Sequence, residues 1–120
     1  MAGRNVPVVL VPRYTGYVGD GQYYSQFIPV SAYSRITIDF WHGVLIGTGP
    51  PTVAINFRES NSLSGGQDCG GGPWVVPAAP GESTYRADLT MAWFQFGVIL
   101  GGTNAGVTCW AQGFFELREK

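Results

Sequence analysis

The chain alternates apolar and polar residues over most of its length. Ile36, Ile38 and Phe40 alternate with Thr37, Asp39 and Trp41, and Val53, Ile55 and Phe57 alternate with Thr52, Ala54, Asn56 and Arg58. A period of two marks a strand with one face on a core. Gly47, Gly49, Pro50 and Pro51 interrupt the pattern between the runs and predict a turn. Paired as a hairpin, the runs set Phe40 against Phe57 inside and Asp39 against Arg58 outside.

The same pattern predicts further strands. Tyr23 to Val30 carries Tyr23, Tyr24 and Phe27, and Ser31 to Ser34 forms a turn. Asn61 to Pro73 is a Gly-rich flexible loop, and Trp74-Val75-Val76 is a short strand cut by Pro77. Thr84 to Thr90 holds Tyr85, Ala87 and Leu89 on one face. Two long strands follow, one holding Phe94, Phe96, Val98 and Leu100 inward and the other, Val107 to Arg118, holding Cys109, Ala111, Gly113 and Phe115 inward. A loop from Gly101 to Gly106 joins them. Residues 1–22 read as an extended arm or edge strand, because Pro7 and Pro12 cannot donate to a ladder. No window repeats apolar residues at helical spacing. The expectation is an all-β chain: one β-sandwich over residues 23–120, of seven or eight mostly antiparallel strands, jelly-roll-like, preceded by the arm.

The 120 residues suit one domain. Charged residues make up 12%, with a net charge of −1, about half the usual charged fraction. No basic run offers a nucleic-acid footprint. No segment reaches the ~20 apolar residues of a membrane helix, and the first residues do not read as a secretion signal. Cytoplasmic synthesis is therefore expected, and with it a low expectation of a Cys69–Cys109 disulfide.

Catalytic and metal chemistry find little support. His42 is the single histidine, and nothing pairs it with Ser31, Ser34 or Ser60 as a triad requires. One His and two distant Cys do not make a zinc site. The stretch Gly65 to Gly72 lacks the Gly-Lys-Ser/Thr of a phosphate loop. Asp20, Asp68 and Glu82 sit in turns and read as solvated carboxylates rather than calcium ligands. No cofactor and no enzymatic activity are expected.

The aromatic residues carry more. Alternation points Trp41, Trp93, Trp110 and Phe114 away from the core, and Trp is enriched at interface hot spots. These four form one candidate interface. The arm residues Val8, Val9, Leu10, Val11 and Tyr14 are candidates for reaching a neighbour. Two alternatives stand beside this: the arm or the 61–73 loop covers the Trp residues as core, or the aromatic face binds a glycan, with Gln112 and Asn56 available for hydroxyls.

The runs V-S-A-Y-S-R-I-T-I (30–38), G-T-G-P-P-T-V-A-I-N-F-R-E-S (47–60) and L-G-G-T-N-A-G-V-T-C-W-A-Q-G-F-F-E (100–116) resemble small virion structural proteins of tailed bacteriophages. The long loop before Trp74 departs from that pattern. The resemblance implies a β-rich decoration or cement protein on the outside of a capsid, made in the host cytoplasm. It implies a homo-oligomer, a trimer first of all, bound to the major capsid protein. A tail or head–tail component is the variant within the same class.

Overall fold

In the computed structural model, residues 5–63 and 67–118 are described, with the side chains of 69–72 excepted. Eight strands account for most of them: β1 (Asn5–Val18), β2 (Gly21–Tyr24), β3 (Ile28–Pro29), β4 (Tyr33–His42), β5 (Ile46–Ser60), β6 (Gln67–Val75), β7 (Gly81–Asp88) and β8 (Trp93–Leu117). No helix occurs among the described residues.

β8 organises the sheet. It runs 25 residues and pairs antiparallel with five other strands. β1, β2 and β3 lie along one edge, and β4 and β5 along the other. β7 then adds to β4, and β6 to β5. A straight strand of that length would span about 80 Å, whereas the longest dimension of the molecule is 50 Å. The sheet therefore folds across its middle. The Trp93–Gly101 half of β8 lies in one layer with β2, β3, β5 and β6. The Gly106–Leu117 half lies in the facing layer with β1, β4 and β7.

Glycine makes the fold line. Gly102 (φ +110) and Gly47 (φ +135) take left-handed conformations, and a Cβ on either would sit about 3.0 Å from backbone atoms across the bend. Asn104 adopts φ 53 in the same corner. The two inner faces meet in a core of aromatic and branched residues. Phe40 of one layer lies 6.4 Å from Phe96 of the other, and Trp74 stacks on Tyr85 at 5.1 Å where β6 and β7 close the open side. Ile36, Ile38, Phe40, Val53, Ile55, Phe57, Phe94, Phe96 and Val98 are all fully enclosed. Gly113 leaves room for Ile36, Val8 and Leu10, which approach to 3.1–3.3 Å of its Cβ position.

All-β architecture, antiparallel pairing and a jelly-roll-like sandwich hold as expected. The local pairing does not. β4 and β5 form no hairpin: Phe40 pairs with Ala111 and Ser83, and Phe57 with Phe96 and Cys69. Asp39 accepts from Thr84 Oγ1 at 2.8 Å, and Arg58 sits 3.6 Å from Asp68. The Gly47–Pro51 break turns the chain between layers instead of back on itself, so both runs keep β8 as partner. Gly101–Gly106 is likewise the bend of one strand rather than a loop between two. Gln67–Val75 forms β6, not a flexible loop, because the edge of β5 offers it a ladder. Tyr23–Val30 breaks into β2 and β3 around Ser25, whose N–H and Oγ both bond to the Phe96 main chain.

Candidate interaction surface

The outer face of the β1–β8–β4–β7 layer carries the expected aromatic side chains. Trp41 and Trp110 are cross-strand partners, their rings near parallel (14°) with centroids 6.4 Å apart. Next to them β1 breaks register. Val11 pairs with Ala111 and Thr15 with Cys109, so Pro12, Arg13 and Tyr14 bulge outward opposite Trp110. Thr15 Oγ1 donates to the Pro12 carbonyl at 2.7 Å and closes the bulge. The Arg13 guanidinium lies 4.4 Å over the Trp110 ring, and Tyr14 meets Trp41 edge-on at 5.7 Å.

The nine candidate residues separate by environment. Trp110 is only 9% exposed under the bulge, and Leu10 and Val11 belong to the core, so those three side chains do not face a neighbour. Val8 packs against the same core. Val9 and Tyr14 are 66% and 67% exposed, and Trp41 and Phe114 are half-buried. Trp93 pairs with Pro29 and Ser60, in the layer opposite the one that carries the other eight. Tyr14 also holds a left-handed backbone, φ 62, which is uncommon for a bulky residue and collects at functional positions.

The stripe continues toward the bend. Val18, Val44 and Ile46 are 84%, 71% and 58% exposed. With Gly16, Tyr17, Gly106, Val107 and Thr108 they line an uncharged cleft of about 350 Å³. Sequence pattern alone passes over these residues, because they flank glycines at the ends of the runs rather than alternate within a strand. That adjacency is the signal that could have found them.

The titratable groups are engaged in structure. His42 is 1% exposed, and its Nδ1 and Nε2 each lie 2.8 Å from a carbonyl oxygen, of Gly43 and Pro77 respectively. Both ring nitrogens thus face main-chain carbonyls. Ser34 Oγ bonds to the Glu116 carbonyl, and Ser60 Oγ receives the Ser62 N–H. Glu59, 4% exposed, accepts from the Thr90 and Met91 N–H groups at 2.7 and 3.1 Å. Burial pushes the Cys109 thiol up to about 12. It also raises Tyr17, with smaller contributions from Cys109 and Tyr23. Cys109 is a free thiol; the Cys69 side chain lies outside the described residues. Asp20 accepts from the Ala105 N–H, Asp68 from Asn56, and Glu82 is exposed. Among the described residues, no three His, Cys, Asp or Glu side chains gather in a metal-holding group.

No family model matches the sequence, and no curated protein matches it. Solved structures do share the fold. The phage PBSX exported protein XepA superposes with a TM-score of 0.68 at 12% identity, over 96% of this chain and 38% of that one. The VP2 subviral particle of infectious bursal disease virus gives 0.63 at 4% identity, over 96% of this chain and 32% of that one. The T13 particle of the same virus gives 0.61 at 3%, over 97% and 32%. The chain thus spans about a third of the length of the proteins it resembles, and at these identities the likeness is one of fold.

Proposed function

We propose that this chain is a non-enzymatic structural protein of a tailed-phage virion. It decorates or cements the outside of the capsid by associating with copies of itself and with the major capsid protein. The observation that carries the reading is the set of exposed and half-buried apolar side chains Phe114, Val9, Trp41 and Tyr14 on this layer, with Val18, Val44 and Ile46 around the cleft. Monomers rarely leave large apolar patches in water. The folds of the VP2 particles and of XepA support a place among viral structural proteins. The strained, exposed Tyr14 is the residue we expect at the centre of the capsid contact. Trp41 meets it edge-on, Val9 and Phe114 lie further along the same layer, and Trp110 acts beneath as the support that positions the bulge.

The test is cosedimentation of the purified protein with capsids that lack it. Wild type should pellet with the shells. Tyr14→Ser and Val44→Ser variants should stay in the supernatant while keeping the wild-type melting temperature. If both variants pellet as well as wild type, the stripe is not the docking surface.

A second reading has its own observation. Asp39 and Gln112 are cross-strand partners one row from the Trp41–Trp110 pair, an arrangement of hydroxyl-bonding groups beside aromatic rings that suits a sugar. Specific retention of one glycan on a broad panel, lost in Trp41→Ala, would favour it.

A further inference from the structure

β7 ends its layer, and no described strand pairs with its outer edge. Which main-chain groups face that edge follows from one hydrogen bond. The Leu89 N–H bonds to the Ser34 carbonyl, in line with the β4–β7 register. Along a strand, successive residues direct their N–H and C=O to opposite sides. Ala87, Tyr85 and Ser83 therefore bond to β4, while Glu82, Thr84, Arg86 and Asp88 direct theirs outward. The four outward-bonding residues are all exposed.

Their side chains are not equivalent. Asp88 pairs with Arg35 at 3.1 Å, and Thr84 donates to Asp39. Glu82 and Arg86 have no ion-pair or hydrogen-bond partner among the described residues. They point to the same face but lie about 13 Å apart along the strand, too far to pair with each other.

We propose that the β7 edge is a two-fold interface with a second copy of this chain, centred on Thr84. This deepens the self-association half of the proposed function and rests on that half, not on the capsid contact. Antiparallel pairing about Thr84 sets Glu82 against the second copy's Arg86, and Arg86 against the second copy's Glu82. Every residue so paired is one whose main chain points outward, so the ladder closes with hydrogen bonds in register. Neighbouring registers are worse. A shift one way sets Glu82 against the second copy's Asp88, and a further shift sets Arg86 against its own copy. The Thr84-centred ladder ends where Asp88 meets the second copy's Pro80, which has no N–H; a shift the other way moves that proline inward against Arg86 and separates Glu82 from Arg86. Like charges directly opposite are destabilising, so charge selects the Thr84-centred register. Charged residues on an edge usually guard against pairing; here their order makes the edge complementary to itself. The outcome is an isologous contact that joins two four-stranded layers into one continuous sheet.

The experiment is sedimentation velocity across a concentration series, with circular dichroism to confirm the fold. Wild type should form a dimer or another even-numbered assembly that weakens with salt. Arg86→Glu and Glu82→Arg should each raise the dissociation constant at least about tenfold, since each replaces two ion pairs by two repulsions. The double exchange Glu82→Arg with Arg86→Glu should restore wild-type association. A wild type that stays monomeric, an odd-numbered assembly, single variants as tight as wild type, or a double variant as weak as the singles would each overturn the proposal. Capsid cosedimentation of the monomeric Arg86→Glu variant reads the docking stripe separately.

Discussion

Phe94 and Phe115 belong to the same strand, near its opposite ends, and their rings meet edge to face with centroids 6.2 Å apart. Extended, the intervening chain would hold them roughly 70 Å apart. Their contact is the direct record of β8 folding back on itself. Phe115 also stacks on Tyr33 at 4.7 Å, and Phe94 packs against Phe57. Phe115→Ala should therefore cost about 3–5 kcal/mol, as should Phe94→Ala. The two losses should be non-additive, because the rings touch. Urea unfolding of the two single variants and the double variant measures the coupling. Strict additivity would mean the layers are not held together at this point.

Gly97 faces Tyr24 across β8 and β2, and a Cβ there would stand 2.3 Å from the tyrosine ring. Tyr24 in turn accepts from Asn56 Nδ2 at 3.0 Å, and Arg58 lies over its ring at 5.1 Å. Gly97→Ala must push the ring away and disturb both contacts, at a cost of about 1–3 kcal/mol. In a Tyr24→Ala background the same substitution should cost much less. A double-mutant cycle by thermal melting checks this.

Tyr14 separates stability from binding. Its left-handed backbone costs energy that glycine would not incur, and its ring touches Trp41 only by an edge. Tyr14→Gly should leave stability within about 1 kcal/mol of wild type, while capsid or partner binding falls. A variant that unfolds would show that the bulge is held by Tyr14 rather than by Pro12, Thr15 and the Arg13–Trp110 contact.

Cys109 gives a pH dependence with a definite sign. Burial favours the neutral thiol, so its value in the fold, about 12, lies above the ordinary 9.0. Below pH 9 both folded and unfolded forms keep the proton and the group adds no slope. Between about 9 and 12 the unfolded form releases a proton that the folded form retains, so stability falls as pH rises. Cys109→Ala should flatten that part of the stability profile. In the native protein at pH 8, iodoacetamide should leave Cys109 unmodified by peptide mapping and label it fully in urea.

The strands themselves were legible in residue order. The Ile36–Ile38–Phe40 and Val53–Ile55–Phe57 alternations name inward faces correctly, and the outward direction of Trp41, Trp110 and Phe114 follows from the same period. Partnership was not legible, because every strand here shares one period and several neighbours fit its face. Gly47, Gly49, Pro50 and Pro51 carry hairpin chemistry, yet the chain uses them to cross between layers. The bulge at Pro12–Tyr14 was equally hidden. Nothing in R-Y-T-G announces that Arg13 will cap Trp110, since the cover comes from a segment nearly a hundred positions away. The β7 edge needed both kinds of information: the charges of Glu82 and Arg86 are plain in the sequence, but their outward main-chain groups follow only from the Leu89–Ser34 bond.

The central place of β8 has a consequence for how the protein comes into being. Every strand from β1 to β5 finds its partner in a segment that the ribosome makes after all of them, and β6 and β7 pair with strands that are themselves waiting. Until Trp93–Leu117 has emerged, the nascent chain holds mostly unpaired edges and no closed layer. Such long-range pairing is slow to form and prone to aggregation. Assembly is then a single late event, in which one strand arrives and draws the others into place.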